Sequence, residues 1–162
     1  MNCVLKANYG KADLLAAHRD GKLVARATLE APGFKKPSAF QYIIHGFWRV
    51  YLNTKWSEIN GFVAMDEGAS KPCHDFQKSG PDIWYLSMLE VDPSAQGQGV
   101  GSQFLTYMED SVRERGGKQL ALFTNSKENL AFYSKRGYEV FHECEIEHDG
   151  RKIGSWSMKK TL

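Results

Sequence analysis

The chain has 162 residues, 42% of them hydrophobic and 25% charged, the balance of a soluble globular protein whose length favours one domain over residues 1–162. A net charge of +2, dispersed along the chain, gives no case for nucleic acid, and no apolar run approaches the ~20 residues of a membrane-spanning helix. The start, Met1-Asn2-Cys3-Val4-Leu5-Lys6, lacks the form of a signal peptide, and Cys3, Cys73 and Cys144 make no Cys-x-x-Cys pair; the expectation is a cytoplasmic protein, monomer or homodimer, with free thiols.

Taken in chain order, residues 2–8 suit a strand. Residues 11–18 have helical composition and are broken by Asp20-Gly21. Leu23 to Leu29 suits either type. After Pro37, Ser38 can cap a helix, and Gln41 three residues on completes a capping box. Phe40, Ile43, Ile44 and Phe47 keep helical spacing, but Gly46 is a plausible stop, so a helix to about residue 46 and then a strand through residue 52 is expected. Asn60-Gly61 then leads into a further strand at Phe62-Val63-Ala64-Met65. Residues 66–82, with Gly68, Pro72, Gly80 and Pro81, read as a polar loop. His74 and Asp75 sit there without a companion cluster, so no metal site is expected.

The second half has a clearer pattern. Ile83 to Val91 is a strand ended by Asp92-Pro93. Gln96-Gly97-Gln98-Gly99-Val100-Gly101 is a glycine-rich loop. Residues 102–115 form an amphipathic helix with Phe104, Leu105, Met108 and Val112 on one face and Glu109, Asp110, Arg113 and Glu114 elsewhere, ended by Gly116-Gly117. A strand follows at 119–124, a helix at 126–135, and two strands at 138–146 and 152–159 joined across His148-Asp149-Gly150, a hairpin signal.

A strand, a glycine-rich loop and a helix start together make an anion site. The first N–H groups of a helix lack internal partners and carry partial positive charge. Glycines let those groups approach a phosphate. A P-loop would end in Gly-Lys-Ser or Gly-Lys-Thr, whereas this helix begins Gly101-Ser102-Gln103. A dinucleotide fold would carry an acid ~20 residues on, and the next strand ends Phe123-Thr124-Asn125.

From Trp84 to Lys160 the chain resembles the GCN5-related N-acetyltransferase (GNAT) superfamily. Leu89-Glu90-Val91-Asp92-Pro93 is similar to the family's fourth strand. Gln96, Gly99 and Gly101 fill the fixed places of its acetyl-CoA loop, Gln/Arg-x-x-Gly-x-Gly/Ala. Asn129-Leu130-Ala131-Phe132-Tyr133-Ser134-Lys135-Arg136-Gly137-Tyr138 resembles the second motif, with Tyr138 in place of the more usual Phe. Residues 1–82 resemble the family weakly and would form the substrate side; residues 83–160 would bind acetyl-CoA.

The resemblance implies an α/β (α+β) fold: a central mixed, mostly antiparallel sheet of about six or seven strands, flanked by helices, with strands four and five splayed around the pantetheine arm. Backbone groups of Leu89 and Val91 would pair with that arm. Gln96 and the N–H groups of Gly97, Gln98, Gly99, Val100, Gly101 and Ser102 would hold the pyrophosphate, and Asn129 and Phe132 would bind from the next helix. Tyr133 would place its hydroxyl near the sulfur, where it can supply a proton as the thiolate leaves. Glu90 is the leading candidate for the base that deprotonates the amine; Ser87 lies nearby, and His45 and Glu67 are weaker candidates. Trp48, Tyr51, Trp56, His74 and Trp84 are aromatic candidates for an acceptor pocket.

The function expected is acetyl transfer from acetyl-CoA, without a metal, to a primary amine on a small molecule. A peptide or protein amine is an alternative acceptor, and a CoA-binding regulatory module without catalysis is the alternative from another class.

Overall fold

A computed structural model describes residues 8–42, 44–45, 54–148 and 151–162. The strands expected at 2–8 and 47–52 fall outside these residues, except Asn8, which is helical.

The first described strands form a hairpin, β1 (Asp13–Arg19) and β2 (Lys22–Glu30), paired antiparallel. The helix expected over 11–18 is therefore a strand. Asp20 and Gly21 both have positive φ, 51° and 74°, as a two-residue turn matched to strand twist requires. Pairing with β2 overrides the helical preference of Leu14, Leu15, Ala16 and Ala17.

The helix α1 (Ala39–Tyr42) opens on the expected capping box. Ser38 N donates to Gln41 Oε1 at 3.0 Å, and Gln41 N donates to Ser38 Oγ at 3.3 Å. Next comes α2 (Trp56–Lys78), 23 residues long with Pro72 inside it. It replaces the strand expected at 62–65 and all but residues 79–82 of the loop expected at 66–82. Its buried positions include Ala69, Ser70, Cys73 and Gln77, spaced as one helix face requires. Those residues are small or polar, so hydrophobic periodicity did not mark the helix. Packing on the sheet outweighs the breakers Gly68 and Pro72.

β3 (Ile83–Val91) is followed by a 3-10 turn at Pro93–Ala95 and then by α3 (Val100–Glu114). β4 (Gln119–Thr124), α4 (Lys127–Ser134), β5 (Glu139–His148) and β6 (Arg151–Thr161) complete the order. The six strands form one mixed sheet, β1-β2-β3-β4-β6-β5. Among the described strands only β3 and β4 pair in parallel, at Ile83 with Gln119, Trp84 with Leu120 and Tyr85 with Ala121. Beyond Tyr85 and Ala121 these strands part. They correspond to the splayed fourth and fifth strands of the expected fold.

One face of the sheet meets α3. Phe104, Leu105, Met108 and Val112 pack with Ala25, Ala27, Leu29, Trp84, Leu86, Leu120, Leu122 and Met158. Glu109, expected away from the apolar face, is buried in the structure. It pairs with Lys160 Nζ at 2.6 Å and accepts from the Tyr138 hydroxyl at 3.0 Å, which satisfies a carboxylate that burial would otherwise penalise. The other cluster unites Cys73 of α2 with Tyr85 and Ala121, flanked by Phe76, Phe123 and Phe141. Among the described residues, no helix is long and apolar enough to cross a membrane.

Candidate active site

The site begins where β3 ends. Asp92 N is tied back to Val24 O at 2.8 Å, and its carboxylate caps the next turn through Ser94 N at 2.9 Å. Gln96 Nε2 donates to Val91 O at 3.1 Å, bracing the loop against the strand it leaves. Gly97 and Gly99 then take φ of 73° and 80°, left-handed values that side chains other than glycine adopt at a cost. Gly99 is the N-cap of α3 and offers no side-chain bond to it. The first intrahelical bond runs from Gln103 N to Gly99 O at 3.0 Å. The N–H groups of Val100, Gly101 and Ser102 are thus left without helical partners, with the positive end of the helix dipole behind them.

These groups border a cleft of about 690 Å³. Leu89, Glu90 and Val91 supply the β3 wall, the loop and α3 supply Gln96, Gly97, Gly99, Val100, Gly101 and Ser102, and α4 supplies Asn129, Phe132 and Tyr133. Of the residues singled out in the sequence for the cofactor, only Gln98 does not line the cleft. Its side chain donates to Ser94 O at 2.8 Å and accepts from Arg19 Nη1 at 2.6 Å, which ties the loop to the end of β1.

α4 is held by Ser126, whose Oγ accepts from Asn129 N at 3.3 Å. Tyr133 is buried, with ring contacts to Phe132 at 5.1 Å and Tyr138 at 5.6 Å. Burial pushes its hydroxyl up to about 12, with Arg136 acting in the opposite direction. The phenol is therefore a proton donor throughout the neutral range.

Sequence reasoning missed two lining residues, Ala95 and Arg136. Arg136 bonds Phe132 O at 2.9 Å and the Ser102 hydroxyl, and its guanidinium lies 3.7 Å from the Phe132 ring centroid. The signal was present: Asn129, Phe132, Tyr133 and Arg136 follow the i, i+3, i+4, i+7 spacing of one helix face.

Glu90 lines the cleft but is exposed, and its carboxylate pairs with Arg26 Nε at 2.5 Å. Ser87 is the extra residue of a β-bulge, because Thr28 faces Met88 while Leu29 faces Leu86. Glu67 is exposed beside Lys36 at 3.5 Å, and His45 is exposed. Trp84 lies in the core, with Arg115 stacked 4.2 Å from its ring. Trp48, Tyr51 and the Trp56 side chain fall outside the described residues.

A second pocket, about 400 Å³, opens between α2 and the segment after β2, with Gly33, Phe34, Lys36, Ser70, His74 and Gln77 in its wall. Next to it stands Glu30, a residue the sequence reading passed over. An acid closing an apolar strand looks the same in sequence whether it faces a loop or the interior. Glu30 is only 6% exposed, and burial pushes its carboxyl up to about 7 against the opposing effects of Ser87 and Lys36. His74 is shifted down by burial and then by Lys36 and Lys78, with Asp66 and Asp75 opposing. Burial also pushes the Cys73 thiol up to about 12, the environment of an inert thiol. Among the described residues, no three His, Cys, Asp or Glu side chains gather as a metal would require.

Against known proteins, a profile of the acetyltransferase (GNAT) domain matches residues 44–140. S-alkylcysteine N-acetyltransferase of Bacillus subtilis is 39% identical over 74 residues, covering 43% of this chain and 40% of that protein. The solved polyamine N-acetyltransferase of Drosophila melanogaster, which forms N-acetylagmatine, superposes with a TM-score of 0.61 at 18% identity, over 97% of this chain and 77% of that one. The ribosomal-protein-S18-alanine N-acetyltransferase of Escherichia coli superposes with a TM-score of 0.59 at 15% identity, over 94% and 70%.

Proposed function

The chain belongs to the family of GNAT acetyltransferase domains, and on that premise we propose that it transfers the acetyl group of acetyl-CoA to a primary amine of a small molecule. The observation that carries this reading is the cleft, in which unpartnered helix N–H groups, a guanidinium and a phenol border the gap between splayed strands.

The residues present fit acetyl-CoA. The N–H groups of residues 97–102 and the Arg136 guanidinium supply donors for its pyrophosphate. Backbone groups of Leu89 and Val91, on the free edge of β3 beyond Tyr85, suit the amides of the pantetheine arm. Asn129 and Phe132 line the cleft from α4, where they would contact that arm. Acetyl-CoA supplies an activated acyl group with a thiolate as leaving group. Tyr133 holds a proton on its hydroxyl at the cleft and donates a hydrogen bond to the sulfur as charge develops there. Glu90 lines the same wall but stands already partnered by Arg26.

A small-molecule acceptor is supported by the partial match to an S-alkylcysteine N-acetyltransferase. The test is a thermal-shift comparison of acetyl-CoA, CoA and ATP, followed by a screen of small amines that reads thiol release. Stabilisation by ATP but not by acetyl-CoA would end the proposal. Binding of acetyl-CoA with thiol release only on peptides would move the acceptor to the protein class.

A further inference from the structure

We propose that Glu30 receives the acceptor's amine where β3 and β4 part, and takes its proton. This rests on the acetyltransferase reading above.

Register places the residue. Glu30 pairs with Tyr85 across β2 and β3. Tyr85 in turn is the last β3 residue paired with β4. Glu30 therefore stands level with the fork of the splay. The bulged Ser87 lies just beyond it; its hydroxyl donates to Thr28 O at 3.4 Å and works against the rise in the Glu30 pKa.

Glu30 Oε2 is buried and has no hydrogen-bond partner among the described residues. A buried, unsatisfied carboxylate oxygen is costly, and the surrounding chain does not offset it. Lys36 instead bonds Glu67 at 3.5 Å. His74 Nδ1 stays 3.8 Å from Oε2, beyond hydrogen-bond distance. A cationic amine would supply the missing partner.

A pocket through which that amine would approach has two neighbours of Glu30 in its wall. His74 and Gln77 both line the pocket of about 400 Å³. His74 is the residue 3.8 Å from Oε2, and Gln77 Nε2 donates to Glu30 O at 2.8 Å. The charged and titratable groups facing Glu30 are Lys36 from the segment after β2, Asp66 and His74 from α2, and Tyr85 from β3. At about 7, the carboxyl lies within roughly one unit of an α-amino group near 8. Proton transfer to it is then close to thermoneutral, which an ordinary glutamate near 4.3 would not allow.

The step balances. Glu30 takes one proton from the ammonium. The freed nitrogen lone pair forms the N–C bond to the thioester carbonyl, and the C–S bond breaks with its electron pair going to sulfur. The second proton lost by nitrogen passes to that thiolate, which Tyr133 stabilises by hydrogen bonding. The products are the amide and the free thiol, with the first proton left on Glu30.

The experiment compares wild type with Glu30→Gln, reading acetyl-CoA affinity by calorimetry and kcat/KM for the best amine against pH. Affinity should stay within about twofold. kcat/KM at pH 7 should fall by roughly 10²–10³, and the acidic limb near pH 7 should vanish. A variant within threefold of wild type that keeps the limb overturns the assignment and leaves the acetyltransferase reading standing. A wild type that binds acetyl-CoA yet releases no thiol with any amine overturns both. Ser87→Ala keeps the carboxylate and removes the hydroxyl that works against the rise in its pKa, so the limb should move to higher pH. An unmoved limb overturns the assignment even where Glu30→Gln does not fold.

Discussion

Arg136 lays its guanidinium 3.7 Å from the centroid of the Phe132 ring and, from the same side chain, donates to the Ser102 hydroxyl at the start of α3. The cation is thereby held flat on α4 and aimed across the cleft at the helix N-terminus. Replacing it by alanine removes both the charge and the stack. Acetyl-CoA affinity should fall by about 10- to 100-fold, the scale of one charge-assisted hydrogen bond. Arg136→Lys keeps the charge but not the planar stack, and should recover only part of the loss. Calorimetry at two salt concentrations checks this, since the loss should shrink as salt rises. Equal affinities for wild type and Arg136→Ala would remove Arg136 from the cofactor site.

Gly99 offers a test of the loop itself. A Cβ there meets nothing nearer than Gln103 Nε2 at 3.9 Å, but φ is +80°. Gly99→Ala should thus cost about 1–2 kcal/mol of stability through backbone strain alone. Gly99→Glu adds a carboxylate at the positive end of α3, which favours the helix and offsets part of that strain. The same charge opposes a phosphate. Acetyl-CoA affinity should fall by on the order of 10²-fold in the glutamate variant, and far less in the alanine variant. Matching affinities in the two would mean that the helix N-terminus does not hold the anion.

The contrast between the halves of the chain has a physical cause. Val100, Phe104, Leu105, Met108 and Val112 bury one continuous stripe, so α3 could be read from spacing. The cleft followed, because its N–H donors come from a loop that three glycines mark. α2 gave no such stripe. It buries Ala69, Ser70, Cys73 and Gln77, and Gln77 is there to bond Glu30 O and Ala31 O. β1 was hidden differently, since its leucines and alanines favour a helix until β2 pairs with them. Glu30 was hidden because its character comes from what packs on it: His74, Tyr85 and Ser87 arrive from residues 44 to 57 positions later.

Glu30 also ties stability to pH. Its carboxyl is raised from 4.5 to about 7 in the folded chain. Between those values the folded state holds a proton that the unfolded state has lost, so this group's contribution falls as pH rises and is fully gone above about 7. The loss is up to about 3 kcal/mol at ~1.4 kcal/mol per unit. His74, shifted down by burial, works in the opposite direction below its ordinary value, so the wild-type curve alone is ambiguous. Urea unfolding of wild type and Glu30→Gln at pH 5 and pH 8 isolates the contribution of Glu30. The variant should gain relative to wild type at pH 8. Parallel curves would mean that Glu30 is not buried as a carboxylate.

Tyr133 separates chemistry from binding. Its ring packs on Phe132 and Tyr138, contacts that Tyr133→Phe retains, so folding and acetyl-CoA affinity should be nearly unchanged. The hydroxyl, raised to about 12, is a weaker acid than a thiol near ~8.5. Full proton transfer from it to the thiolate would be uphill, so its contribution is a hydrogen bond that strengthens as negative charge gathers on sulfur. An interaction made mainly in the transition state lowers kcat and kcat/KM together when lost. The expected fall is roughly 10²-fold, the scale of one preorganised donor to a developing anion. An acyl donor with a more acidic thiol leaving group needs less help, so the gap between wild type and variant should narrow with such a donor. Rates for acetyl-CoA and an activated thioester in both proteins decide the matter. A variant within twofold of wild type, with chemistry rate-limiting, would make Tyr133 a packing residue; an unchanged gap with the activated donor would place its effect elsewhere than on the sulfur.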